Sequence, residues 1–211
     1  MKNHIWFLLA LLISLALPAS IIAGVGANET ELGGETRAAI ETAYGTIVIR
    51  LFPDVAPKHV DNFVKLAKEG FYDGTIFHGA VPGFMIQGGD PVTKISKNTY
   101  TGCCPDKRKY GTGGPGWTVP AEFNNSPHRR GIVSMVRFKD PDSAGSQFFI
   151  VVKDSNFLDG KYTVFGEVES GMDVADKIVN LPKNNDLPYL LNERVEMKVK
   201  ILELTGGGVS R

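Results

Sequence analysis

Cysteine is almost absent from this chain: there are two in 211 residues, and they are adjacent, Cys103-Cys104. Neighbouring residues rarely reach disulfide geometry without strain, so no stapled scaffold can rest on them. Two unengaged thiols in a polar loop are expected, with a vicinal or intermolecular bridge as the alternative. Histidine is scarce as well, and His4, His59, His78 and His128 show no ligand spacing. A zinc site would need two ligands beyond the cysteines, so no metal or other cofactor is expected. Charge of either sign is not in excess, with 23 basic and 23 acidic residues. Nucleic-acid binding needs a basic excess on at least one face, so no nucleic-acid partner is expected. There is no G-x-S-x-G elbow, no H-E-x-x-H and no P-loop, which removes hydrolase and nucleotide-triphosphate chemistry. Gly111–Gly116 matches G-x-G-x-x-G formally. Pro115 and the extended Trp117-Thr118-Val119-Pro120 stand where a dinucleotide loop needs a helix.

Long apolar runs are missing too, except one. Ile5 to Ala27 carries no charge and follows Lys2 and His4, which is the layout of a secretory signal. Val25 and Ala27 suit the positions flanking a cleavage site. Residues 1–27 are therefore expected to be a signal peptide, with an uncleaved N-terminal anchor as the alternative and the only route to a membrane. The protein is expected to be exported to a periplasm, a cell envelope or the medium. Residues 28–37 read as a polar linker, 38–204 as one domain and 205–211 as a flexible tail. Asn28-Glu29-Thr30 and Asn124-Asn125-Ser126 fit the glycosylation acceptor pattern.

The remainder is an ordinary globular mixture, 43% hydrophobic and 22% charged. Its 24 glycines suggest tight turns between short strands. Ala39–Thr42 and Thr46–Phe52 flank Tyr44-Gly45 as a hairpin. Pro57 opens a helix whose apolar face holds Val60, Phe63, Val64 and Ala67, and Gly70 ends it. A second helix runs from about Met172, with Ala175, Ile178 and Val179 inward, until Pro182. Val195, Met197, Val199 and Ile201 alternate with Glu196, Lys198 and Lys200 as a half-buried strand. Short apolar runs fill the interval between the helices. Many short strands and two helices predict a mainly β fold, a closed antiparallel barrel with helices over its mouths.

Two segments stand apart: Phe77–Asp90 and Asp142–Ile150. Each sets an amide, Gln87 or Gln147, among aromatic side chains. They read equally as barrel core with satisfied amides and as a pocket, which is apolar with a few polar groups.

The same segments resemble the signature of the cyclophilin family of peptidyl-prolyl cis–trans isomerases. The likeness runs from about Ala38 to Leu204 through Tyr72–His78, Gly83–Asp90, Gly111–Gly114, Gly131–Met135, Gly145–Ile150 and Phe157–Gly160. The resemblance implies an eight-stranded closed antiparallel barrel capped by two α-helices, acting as a monomer on proline-containing polypeptides. It implies a proline pocket of Phe84, Met85, Phe149 and Leu158, with Gln87, Phe84 and Phe149 in the catalytic positions. His78, Gly111, Val136, Arg137, Gln147, Phe157 and Tyr162 fall on further positions along the groove. The sequence departs from the pattern where many relatives carry tryptophan (Phe157), histidine (Tyr162) and asparagine (Arg137). The family's catalytic arginine is replaced by Gly79. The implied function is isomerase activity on folding exported proteins, reduced by Gly79; the alternative is a module that holds proline segments without accelerating rotation. Pro91–Tyr110 is longer than in compact relatives and is expected to lie beside the groove.

Overall fold

The computed structural model describes residues 36–95 and 106–202. The signal stretch, most of the linker, Cys103-Cys104, Asn28 and the tail lie outside the described residues. The described strands are β1 (Arg37–Thr42), β2 (Gly45–Leu51), β3 (Ile76–Val81), β4 (Met85–Gly88), β5 (Ile132–Met135), β6 (Phe148–Val151), β7 (Val164–Ser170), β8 (Leu190–Glu196) and β9 (Lys198–Leu202). The helices are α1 (Pro57–Lys68) and α2 (Met172–Val179).

All paired strands run antiparallel, in the order β8-β3-β4-β6-β5-β7-β2-β1-β9. The two ends of that order are consecutive in the chain, separated only by Met197. The last stretch pairs with β3 before Met197 and with β1 after it, so the sheet closes on itself. This explains nine strands where eight are expected: the final strand breaks at the corner where it changes partner. Its alternation holds through the break, with Val195, Met197 and Val199 buried and Glu196, Lys198 and Lys200 exposed.

The barrel interior is filled by Ile40, Ile47, Ile49, Ile86, Val133, Phe148, Ile150 and Phe165. Helix α1 lays Val60, Phe63, Leu66 and Ala67 against it. The Phe63 ring sits 5.1 Å from Tyr72, 5.3 Å from Phe165 and 5.7 Å from Phe148. Pro57 occupies the first turn, and Gly70 follows the helix with φ of 67°. The α1 N-terminus has no cap from its own flank. Glu122, far along the chain, accepts from the Lys58 and His59 amides at 3.0 and 2.9 Å. Helix α2 starts after Gly171, at φ of 91°, where a Cβ would lie 2.3 Å from the Thr46 carbonyl. Only glycine fits there.

Two boundaries differ from expectation. Arg37 belongs to β1 rather than to the linker, because it pairs with Arg50 and Leu202. The hairpin turn is Ala43-Tyr44, and Gly45 opens β2. Phe84 precedes β4, in a turn whose Phe84 amide bonds the Val81 carbonyl at 3.0 Å. The sequon at Asn124 is also spoken for, since its amide donates to the Glu122 and Val164 carbonyls.

Candidate functional site

One row of cross-strand neighbours organises the site. Gly79 on β3 faces Gln87 on β4, Gln87 faces Phe149 on β6, and Phe149 faces Ser134 on β5. Residues directly opposite share a face. Their sequence neighbours Ile86, Phe148, Ile150 and Val133 fill the barrel, so this row lines the outer face.

Around Phe149 gathers a second apolar cluster, separate from the core. Ile132, Val151, Leu158 and Val164 form its buried part, and Phe84, Met85, Val136 and Tyr162 its half-open rim. Phe149 is 5% exposed and forms the floor. Tyr162 meets it edge-on at 5.8 Å, and Phe157, 63% exposed, leans on Phe84 at 5.4 Å. The turn that removes Phe84 from strand alternation is what brings it beside Met85 on this rim. The result is a shallow apolar pocket suited to a small ring.

Polar groups enter through a chain of amides. The Gly113 carbonyl accepts from Gln147 Nε2 at 2.8 Å, and Gln147 Oε1 accepts from Gln87 Nε2 at 3.0 Å. A carbonyl can only accept, so Gly113 fixes the orientation of both amides. Gln87 therefore keeps its Oε1 for another partner. That oxygen lies 3.9 Å from where a Cβ on Gly79 would stand.

Behind the floor lies a buried buttress. The His128 ring is stacked on Phe149, 6.1 Å away at 13°, and is fully buried. Its Nδ1 is 2.9 Å from Asp159 Oδ1, and its Nε2 is 3.1 Å from Ser134 Oγ. The Ser134 hydroxyl also reaches the Thr163 carbonyl at 2.9 Å. The His128 amide and ring hold the Asp159 carboxyl below the usual carboxylate range. This Ser–His–Asp line is no nucleophilic triad, because Ser134 is wholly buried. It fixes the ring on which the pocket is built.

Not every expected residue lines the pocket. His78 is 3% exposed and packs against Tyr110 at 6.2 Å. The β3–β4 register slips between Phe77 and Gly79, and the His78 ring lies under the Tyr110-Gly111 loop, where a Cβ on Gly111 would stand 3.9 Å from its Nε2. Burial pushes its ring down to about 4, against an opposing pull from Asp90. Gly111, at φ of 89°, acts through its backbone, whose amide donates to Asp90. Gln147, 4% exposed, serves the amide chain and also lines a neighbouring cavity of about 100 Å³ with Gly113, Trp117, Val136, Phe138 and Gly145. After Gly116 the chain bends at Trp117 and then pairs through a bridge between Val119 and Ala144, with no helix where a dinucleotide loop needs one. Arg137 cannot stand in for the arginine missing at Gly79. Its guanidinium is held by the carbonyls of Lys161 at 2.8 Å, Phe138 at 2.9 Å and Lys139 at 3.4 Å.

Sequence reasoning passed over His128, Ser134 and Asp159 as site residues. A signal existed: Ser134 is a polar residue inside the apolar run Gly131–Val136. It also passed over Asn62, whose amide joins two walls of the neighbouring cavity. Asn62 accepts from Trp117 Nε1 and donates to the Gly145 carbonyl, both at 2.8 Å.

A closed antiparallel barrel with two helices, carrying an aromatic pocket beside a glutamine pair on its outer face, is the arrangement that defines a proline-isomerase class. Comparison with known proteins agrees. The model of the cyclophilin type peptidyl-prolyl cis-trans isomerase/CLD family matches residues 37–205, and the chain belongs to that family. It is 44% identical over 168 residues to a Brucella suis protein named "Probable peptidyl-prolyl cis-trans isomerase", covering 78% of this chain and 83% of that one. It is 42% identical over 155 residues to the peptidyl-prolyl cis-trans isomerase of Helicobacter pylori, covering 72% and 85%. Among solved structures, a Cryptosporidium parvum cyclophilin type isomerase determined in the presence of the dipeptide Ala-Pro aligns with a TM-score of 0.67 and 31% identity. That alignment covers 79% of this chain and 99% of the other. The chain is a peptidyl-prolyl cis–trans isomerase by these criteria.

Proposed function

We propose that this isomerase acts on X-Pro bonds of exported proteins, and does so more slowly than relatives that carry arginine at the Gly79 position. The observation that carries the reading is the intact pocket beside an empty catalytic position: the Phe149 floor and the Gln87–Gln147 pair are complete, while Gly79 supplies no donor.

Rotation about X-Pro faces a barrier of roughly 18–20 kcal/mol, because the amide must give up its double-bond character. No bond is broken, so neither nucleophile nor metal is required. The proline ring seats over Phe149 between Phe84, Met85 and Leu158, away from water. Gln87, steadied by Gln147, offers Oε1 to a backbone N–H of the client and fixes the residue on one side of the rotating bond. Desolvating the carbonyl favours the twisted state, whose amide is less polar. What is missing is a donor to the proline nitrogen as it becomes pyramidal. One such transition-state donor contributes about 10²–10³ in rate in other enzymes.

The relative determined with Ala-Pro supports a proline-containing ligand, and the uncharged Ile5–Ala27 stretch supports export. The test is the rate of isomerisation of an Ala-Pro peptide, measured beside its affinity. Binding with weak acceleration is expected; acceleration equal to an arginine-bearing relative overturns the reduced-activity reading. Binding with no acceleration would favour the second reading, a module that holds proline segments, which the same Gly79 observation supports. N-terminal sequencing of the native protein tests export, with a start at Asn28 expected and an intact Met1 against it.

A further inference from the structure

Arg137 is spent on its own protein. Nε donates to the Lys161 carbonyl at 2.8 Å, and Nη1 to the carbonyls of Phe138 and Lys139 at 2.9 and 3.4 Å. The guanidinium carbon stands 4.9 Å from the centre of the Tyr162 ring and 6.0 Å from that of Phe123. Apart from Phe123, on the stretch that precedes β5, these partners lie on two loops, one running on from β5 and the other leading into β7. The first carries Val136 and Phe138; the second carries Phe157, Leu158 and Tyr162. Both loops supply the rim of the Phe149 pocket.

We propose that Arg137 is a positioning residue: its guanidinium ties these two loops together and holds the Tyr162 ring edge-on to Phe149, setting the pocket before a peptide enters. The proposal deepens the reading above and rests on it for the identity of the ligand. Three physical points carry it. A planar fork with donors on two edges can serve carbonyls from both loops at once, and its face can lie over an aromatic ring. A lysine ammonium is a point charge and cannot do both. Tyr162 is in contact with both the guanidinium, 4.9 Å from its ring centre, and the pocket floor, through the 5.8 Å edge contact at 86°. Finally, a groove fixed in advance loses less side-chain and loop freedom on binding, which strengthens affinity without any new contact. The arginine thus acts on ligand affinity through Tyr162, with no contact to the rotating bond.

The experiment compares wild type with Arg137→Ala and Arg137→Lys in the mature chain. Affinity for an Ala-Pro peptide, kcat, the thermal midpoint, and the NMR signals of the Tyr162 and Phe149 rings without peptide are measured for each. Both variants should bind about fivefold or more weakly, with kcat nearly unchanged and with Tyr162 ring signals shifted or broadened in the free protein. A residue that merely stabilised the fold would lower the midpoint and leave affinity and ring signals alone well below it; that result overturns the proposal. So does full retention of affinity by Arg137→Lys, which would reduce the effect to charge. If wild type binds no proline peptide, the functional reading fails by itself, and the ring signals still decide whether Arg137 holds Tyr162.

Discussion

Replacing Gly79 by arginine should convert a weak isomerase into a stronger one. Gly79 has an ordinary negative-φ or extended backbone, since it is not among the positive-φ glycines, so a side chain is conformationally allowed. The guanidinium would meet a ready acceptor. Gln87 Oε1 is 3.9 Å from the Cβ position and is left over by the amide chain that runs from Gly113 through Gln147. The gain from one well-placed donor has a ceiling of about 10²–10³ in rate. Space lowers it: the new Cβ would stand 3.2 Å from the Gln87 Cβ, closer than ordinary contact. Gln87 must yield by a few tenths of an ångström, and its 3.0 Å bond to Gln147 resists. A net rise of about ten- to a hundredfold in kcat is expected, with peptide affinity changing less. Gly79→Ala is the control, because it imposes the same Cβ contact without a donor and should not raise the rate. The assay is cis–trans exchange of an Ala-Pro peptide by NMR, with a binding titration on each variant. The reasoning is refuted if folded Gly79→Arg protein is no faster than wild type, or if Gly79→Ala gains as much.

Three further outcomes follow from the geometry. Phe149→Ala removes the pocket floor and should weaken peptide binding by about 2 kcal/mol, or about thirtyfold, in protein that circular dichroism shows to be folded; unchanged affinity would place the ligand elsewhere. Burial lowers the His78 and His59 rings below the value of 6.5 they hold when unfolded, His78 to about 4. For His78 the unfolded chain therefore binds more protons between 6.5 and about 4, so its contribution to stability is complete above pH 6.5 and falls as pH drops towards 4, by up to about 1.4 kcal/mol per pH unit, and His59 acts in the same direction. Urea midpoints at pH 7.5, 6 and 5 check this, with a shallower decline expected for His78→Gln; identical wild-type midpoints would contradict it. Asn62→Ala frees Trp117 Nε1 and the Gly145 carbonyl and should cost about 1–2 kcal/mol while shifting tryptophan emission, and a variant matching wild type in both would show that Asn62 does not tie these two groups together.

Local chemistry made much of this molecule legible in advance. Pro57 and Gly70 bracket α1 because proline suits the first helical turn and glycine the left-handed exit. The alternation from Val195 to Ile201 declares a strand because side chains repeat every two residues. The resemblance added the pocket members Phe84, Met85, Gln87, Phe149 and Leu158, and it exposed Gly79 as the vacant position. Tertiary structure alone decided how these residues meet. The Gly79–Gln87–Phe149–Ser134 row depends on registers between four strands drawn from distant parts of the chain, and no local pattern encodes register across a barrel. The Tyr110-Gly111 loop covers His78 beside the slip between Phe77 and Gly79, and the barrel corner at Met197 split the last strand. Arg137 reads in sequence as one more groove residue. Its bond to the Lys161 carbonyl exists only because β5 pairs antiparallel with β7, which sets the loop after β5 beside the loop leading into β7.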